Sequence, residues 1–154
     1  MSTTVIFSDS STTESRVISK GNLSSKRRQK LCSTILVAED DADVRLMLRT
    51  RLEMKGYCVV EAGDGQEAIR VAQDEHPDII LMDLQLPRLN GFAVTRYVRQ
   101  HEELRGVPIV ILSGHDPAKH RNLALAAGCN EYLLKPVDFN RLEETITRLL
   151  PIAA

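Results

Sequence analysis

From residue 34 onward the chain alternates between two hydrophobic patterns. Short runs of consecutive apolar residues, the mark of strands buried on both faces, are each followed by apolar residues at helical spacing. The first run, Thr34–Ala38, precedes Val44, Met47, Leu48 and Leu52, with Gly56 as a C-terminal stop. The second, Tyr57–Ala62, leads through the turn Gly63-Asp64-Gly65 to a helix holding Ala68, Ile69 and Ala72. Asp64 and Glu67 are spaced as a capping box. The third, Asp78–Asp83, is followed by a loop from Pro87 to Gly91 and a helix through Val94, Tyr97 and Val98. The fourth, Val107–Ser113, meets Asp116-Pro117, a capping residue and a first-turn proline, then a helix through Leu123 and Leu125 that stops at Gly128. The fifth, Glu131–Leu134, meets Asp138 as cap and a helix through Leu142, Ile146 and Leu150.

Five β–α units in succession, with strands that are apolar throughout, call for a parallel sheet covered by helices on each side. The predicted fold is therefore α/β, a flavodoxin-like (βα)5 three-layer sandwich. With right-handed crossovers, the strand order 2-1-3-4-5 is the most economical for five strands. Ligands in such sheets gather at the carboxyl ends of the strands.

Composition narrows this picture. The chain has 154 residues, 43% apolar and 27% charged, which suits a single domain with a full core. Residues 1–33 carry 13 Ser/Thr and the basic cluster Lys26-Arg27-Arg28-Gln29-Lys30, and read as a mobile tail whose apolar spot, Val5-Ile6-Phe7, is short. Residues 34–151 form the folded part, and 152–154 a short end with no output domain after it. The tail holds six Lys/Arg against two Asp/Glu, the remainder 14 against 19. An acidic folded domain argues against nucleic acid as its ligand. Cys32, Cys58 and Cys129 lie far apart with no metal-ligand spacing, so free thiols in a reducing cytoplasm are expected. No apolar stretch approaches the roughly 18 residues of a membrane span, and no signal-peptide layout opens the chain.

The predicted strand ends bring together Glu39 and Asp40, Asp83, Ser113 and Lys135. Carboxylates this close repel unless they share a proton or hold a cation. Mg²⁺ suits them: it takes hard oxygen ligands, here Glu39, Asp40, Asp83 and the backbone carbonyl of Gln85. The absence of His and Cys from the cluster speaks against zinc. A carboxylate can accept a phosphoryl group as an acyl phosphate, and Asp83, central in the sheet, is best placed to do so. Lys135 and Mg²⁺ would neutralise the equatorial oxygens, and Ser113 can donate its hydroxyl to them.

At these residues the chain resembles the receiver domain of two-component response regulators. The resemblance rests on Ile35-Leu36-Val37-Ala38-Glu39-Asp40-Asp41, on Pro77-Asp78-Ile79-Ile80-Leu81-Met82-Asp83-Leu84-Gln85-Leu86-Pro87, on Asn90-Gly91, on Ile111-Leu112-Ser113-Gly114 and on Tyr132-Leu133-Leu134-Lys135-Pro136. It spans about residues 34–150 and implies that Asp83 is the phosphoacceptor, that Glu39 and Asp40 hold Mg²⁺, that Ser113 is the switch hydroxyl and that Lys135 contacts the phosphoryl group. It also implies a cis Lys135-Pro136 peptide and an aromatic switch at Tyr132, although Tyr132 can equally be a half-buried strand residue. The implied donor is a phosphohistidine on a histidine kinase or phosphotransfer protein. The implied output is a downstream protein bound by the fourth helix, fifth strand and fifth helix, about Pro117–Ala127, Glu131–Leu134 and Asp138–Leu150. Two residues depart from the family pattern: Glu39 stands where Asp is more frequent, and Leu86 where Met often precedes the proline.

The expected role is thus a cytoplasmic, stand-alone regulatory phosphoprotein, not a turnover enzyme. The sequence does not decide between monomer and dimer. A haloacid-dehalogenase type phosphohydrolase would need an acid two residues after Asp83, where Gln85 stands. A flavodoxin would need a phosphate cradle where Glu39-Asp40-Asp41 lie, and these would repel the ligand. A scaffold that binds partners regardless of phosphorylation is the remaining alternative. Asp41 and Asp43 are assigned to capping and the helix dipole. His76, His101 and His120 read as solvated, and His115, just past Ser113, as a residue that can tune water access.

Overall fold

The computed structural model describes residues 31–150. The predicted tail, apart from its last three residues, and the end after Leu150 lie outside the described residues. The elements are β1 (Thr34–Ala38), α1 (Ala42–Met54), β2 (Cys58–Ala62), α2 (Gly65–Glu75), β3 (Ile79–Asp83), α3 (Gly91–Gln100), β4 (Ile109–Ser113), α4 (Pro117–Ala127), β5 (Glu131–Leu134) and α5 (Phe139–Leu149). The sheet is parallel, in the order β2-β1-β3-β4-β5 predicted from the five units.

The apolar runs of β1, β3 and β4 are buried on both faces, as their composition required, whereas β2 at the sheet edge is half-buried along most of its length and β5 is buried only at Tyr132 and Leu133. Leu36, Ile80 and Ile111 point to one side, against α2, α3 and α4 residues such as Ala68, Val98 and Ala124. Ile35, Leu81 and Leu112 point to the other, against Leu48 and Leu52 of α1 and Leu142 and Ile146 of α5. Two cores thus fill the gaps between three layers. β1, β3 and β4 are flanked on both edges, so their register is shared. Ala38 pairs with Met82, and Asp83 with Leu112. That register lines up the ends of β1, β3 and β4 along one edge of the sheet.

The predicted caps form. Asp41, Asp64, Asp116 and Asp138 each accept hydrogen bonds from backbone N–H groups in the first turn of the following helix, and Asn90, not foreseen as a cap, does the same for α3. Glu67 closes the capping box on Gly63 N–H at 2.7 Å, one residue before the cap. Gly128 takes φ +115° at the end of α4, and a side chain there would also strike Arg99.

Two expectations need correction. The helix expected through Leu123 and Leu125 forms, but these apolar residues are not its buried face: Leu123 is 58% exposed and Leu125 37%, while Ala124 between them is buried. Cys32 and Cys58, expected as free thiols, form a disulfide, with Cα atoms 5.8 Å apart. Their distance along the chain was misleading: Cys32 lies two residues before β1, and the parallel register sets Thr34 opposite Cys58. Cys129 is a free, buried thiol as expected.

Candidate functional site

Each of the five site residues predicted at strand ends occupies the carboxyl edge of the sheet, but they divide into two groups. Glu39, Asp83 and Lys135 form a linked cluster. Lys135 Nζ donates to Glu39 Oε1 at 2.6 Å and to Asp83 Oδ2 at 3.2 Å. Asp40 joins from the solvent side: one carboxylate oxygen from each of Glu39, Asp40 and Asp83 lies within 4.8 Å of the others. Backbone amides complete the cluster, since Asp41 N–H donates to Glu39 Oε2 and Gln85 N–H to Asp83 Oδ1, each at 3.1 Å.

The electrostatics follow from the burial. Loss of solvent pushes the Glu39 carboxyl above its usual range, and the charge of Asp83 adds to this against the pull of Lys135 and the Asp41 amide. For Lys135, burial works to lower the pKa. The hydrogen bond to Glu39 and the charges of Asp83 and Glu39 outweigh it, and the ammonium is held above its ordinary value. Three carboxylates against one ammonium leave the pocket negative. All three offer hard oxygen atoms, and this donor set fits a magnesium ion.

Ser113 and Tyr132 form the second group, and both are tied to His115. The fully buried Ser113 hydroxyl accepts from His115 N–H at 3.0 Å, while Tyr132 O–H donates to the His115 carbonyl at 3.1 Å. Two side chains on neighbouring strands therefore clamp the two peptide units on either side of His115 in the β4–α4 loop. Tyr132 is buried, only 4% exposed, not half-buried. The ring of His115 meets that of His120 edge-on at 5.1 Å, and both line an open cleft of about 530 Å³ with Asp40, Gln85, Pro87 and Asn90. The Lys135-Pro136 peptide is cis, as the resemblance implied.

Local sequence explains how these groups are held. Gly91 brings the start of α3 against the end of β3: a Cβ there would lie 2.9 Å from the Asp83 carbonyl. Arg45 in α1 was not anticipated. Its Nη1 donates to the Glu39 carbonyl at 2.6 Å, and its Nε pairs with Glu61 of β2 at 3.1 Å. The available signal was the charge pair itself, since Arg45 lies four residues after the cap Asp41 and Glu61 is the lone acid in an otherwise apolar strand.

Comparison with known proteins agrees with this geometry. Residues 35–147 match the family model described as the response regulator receiver domain. A probable transcriptional regulator, ycf27 of Porphyridium aerugineum, is 36% identical over 116 residues, 75% of this chain and 47% of that protein. The chain thus spans about half the length of the ycf27 relatives. The polar-differentiation response regulator DivK of Brucella ovis is 32% identical over 120 residues, 78% of this chain and 98% of the relative. Among solved structures, the receiver domain of the sensor histidine kinase PA1611 of Pseudomonas aeruginosa PAO1 superposes with a TM-score of 0.72 at 36% identity, covering 77% of this chain and 97% of that one. That structure has a magnesium ion coordinated in its active-site cleft. The chemotaxis response regulator CheY4 of Vibrio cholerae gives a TM-score of 0.72 at 31% identity, covering 77% and 99%. With its sheet order, its acidic cluster and its matched residues in agreement, this chain belongs to the response regulator receiver domains of two-component signalling.

Proposed function

We propose that Asp83 accepts a phosphoryl group from a phosphohistidine on a histidine kinase or phosphotransfer protein, in a magnesium-dependent reaction, and that the modification alters a protein-binding surface. The observation that carries this reading is the cluster in which Lys135 bridges Glu39 and Asp83 while Asp40 opens the pocket to solvent. A carboxylate oxygen of Asp83 attacks phosphorus, the bond to the imidazole nitrogen breaks, and that nitrogen keeps the electron pair. The acids Glu39, Asp40 and Asp83 with the Gln85 carbonyl would hold a magnesium ion, which when bound would offset negative charge on the transferred oxygens. Lys135 supplies a second positive charge at the same oxygens. Gln85 N–H keeps the Asp83 carboxylate in a fixed orientation. Hydrolysis of the acyl phosphate returns the carboxylate, so the protein catalyses only its own modification and reset.

The switch reading assigns Ser113 and Tyr132 to the same event. The Ser113 oxygen accepts from His115 N–H and its O–H remains free to donate to the phosphoryl oxygens; a rotation that carries the hydroxyl towards them would stretch the bond to His115 and loosen the clamp on the β4–α4 loop. That loop enters α4, where Leu123 and Leu125, with Leu134 of β5 at 50% exposed, present apolar surface. The face formed by α4, β5 and α5 is accordingly the proposed binding surface for a downstream protein. A coupling of about 1–3 kcal/mol between site and surface is typical and suffices to change partner affinity roughly five- to 150-fold.

The test is incubation with acetyl phosphate and Mg²⁺, followed by intact-mass measurement. Wild type gains one phosphoryl group, and Asp83→Asn gains none. Failure of wild type to gain it with the metal present would instead favour the scaffold that binds partners without modification.

A further inference from the structure

The three cysteines stand in different surroundings. Cys129 is a buried free thiol. The Cys32–Cys58 disulfide lies at the amino end of β2, an edge strand of the sheet, with Cys58 exposed and Cys32 half-buried. The two cysteines are 26 positions apart, and the segment between them holds β1, the acids Glu39 and Asp40 and all of α1. The strands that the bond joins are also held without it. Cys58 N–H donates to the Ser33 carbonyl at 2.9 Å, and at the other end of the pair Glu39 N–H donates to the Ala62 carbonyl at 3.0 Å. Ile35, Leu36, Val37 and Ala38 are all buried in the core. Disulfides on which folding depends belong to small domains that lack such a core. Here the bond is added to a strand pair already fixed by backbone hydrogen bonds and burial, in a place that a thiol in solution can reach.

We propose that Cys32 and Cys58 form a reversible redox site that exchanges with a low-molecular-weight thiol while the domain stays folded. The incoming thiolate attacks Sγ of Cys58, the more open sulfur, and forms a mixed disulfide there. The Cys32–Cys58 bond breaks, and Cys32 Sγ leaves with the electron pair and takes up a proton. A second thiolate attacks the outer sulfur of the mixed disulfide, which releases Cys58 as a thiol and the reagent as its own disulfide. The protein thus gains two electrons and two protons, and two thiols are oxidised. Exposed disulfides are the labile ones, whereas structural ones resist reduction by the glutathione pool. Reduction opens the covalent loop around β1 and α1, so the redox state sets how tightly the segment bearing Glu39 and Asp40 is held at its amino end. Neither Asp83 nor a metal ion takes part in the exchange.

The full chain is equilibrated in glutathione buffers of rising reduced fraction, blocked with iodoacetamide in the absence of denaturant, and weighed intact. The oxidised protein is expected to take up no label and the reduced protein two, at Cys32 and Cys58, because Cys129 is buried. Circular dichroism should be the same in both forms. Cys129→Ser should titrate as wild type does, and Cys58→Ser should lose the two-label transition. Urea unfolding then reads the effect of the bond on the fold: the unfolding constant of the reduced form should be larger by on the order of a hundredfold. A disulfide that persists in an excess of reduced glutathione overturns the proposal. So does reduction accompanied by loss of the circular dichroism signal, since either result would make the bond a structural staple. A chain that keeps both thiols free in oxidised glutathione overturns it as well.

Discussion

At the carboxyl ends of the strands Glu39 and Asp83 share one ammonium beside a third acid, Asp40, whereas at the amino ends Asp78, Asn130 and Arg99 each meet backbone partners. Asp78 accepts from Thr34 N–H at 2.7 Å, and Asn130 accepts from Ile109 N–H at 2.8 Å. Arg99 reaches from α3 to the carbonyls of Arg105, Val107 and Gly128 and to the Asn130 side chain, all within 2.9 Å. The Cys32–Cys58 disulfide lies at the same end. One edge of the sheet is saturated and the other carries surplus negative charge. The saturated edge holds the strands in register, and that register allows the other edge to keep charges that would otherwise repel each other apart.

If this division is right, changes at the amino edge cost stability and spare the chemistry. Arg99→Ala removes all four of those hydrogen bonds and leaves the part-buried carbonyls of Val107 and Gly128 without this donor, at a cost of about 2–3 kcal/mol. Chemical denaturation measures the loss, and below the melting transition the variant should still gain a phosphoryl group from acetyl phosphate. An unmodified but folded Arg99→Ala protein would show that the two edges are coupled.

Cys129 sharpens the comparison through pH. Burial pushes its thiol up from 9.0 to about 11. Between those values the folded protein keeps a proton that the unfolded chain has released, so stability falls as pH rises through that interval, by roughly 2 kcal/mol. Unfolding free energies of Cys129→Ala measured across this range should lack that part of the alkaline slope.

The smallest expected effect lies on the other side of the division. Tyr132→Phe deletes one hydrogen bond to the His115 carbonyl and should cost about 1 kcal/mol in unfolding experiments. Under the switch reading the same change loosens the β4–α4 loop, and faster amide exchange from Gly114 to Ala118 would register it. Exchange unchanged there would mean that Ser113 alone holds the loop.

Much of this was legible in the chain. Runs such as Ile79-Ile80-Leu81-Met82 admit few environments other than a strand covered on both faces, and five of them with helical spacers leave little choice of sheet. The capping residues were equally readable, because Asp41, Asp116 and Asp138 act within their own turn. Position along the chain also named the acids and the lysine that meet, since each stands at the end of a strand.

What the sequence determined by itself is therefore the local and periodic: the elements, their order, the caps and the identity of the groups at the strand ends. The tertiary structure alone decided how those groups are shared. The preference of Lys135 for Glu39 over Asp83, the anchoring of His115 by both Ser113 and Tyr132, the hold of Arg45 on the Glu39 carbonyl and the pairing of Cys32 with Cys58 are all contacts set by the tertiary fold. Such contacts turn on differences of a few tenths of an ångström, set by strand register and by burial. Neither has a period that can be read from the order of residues.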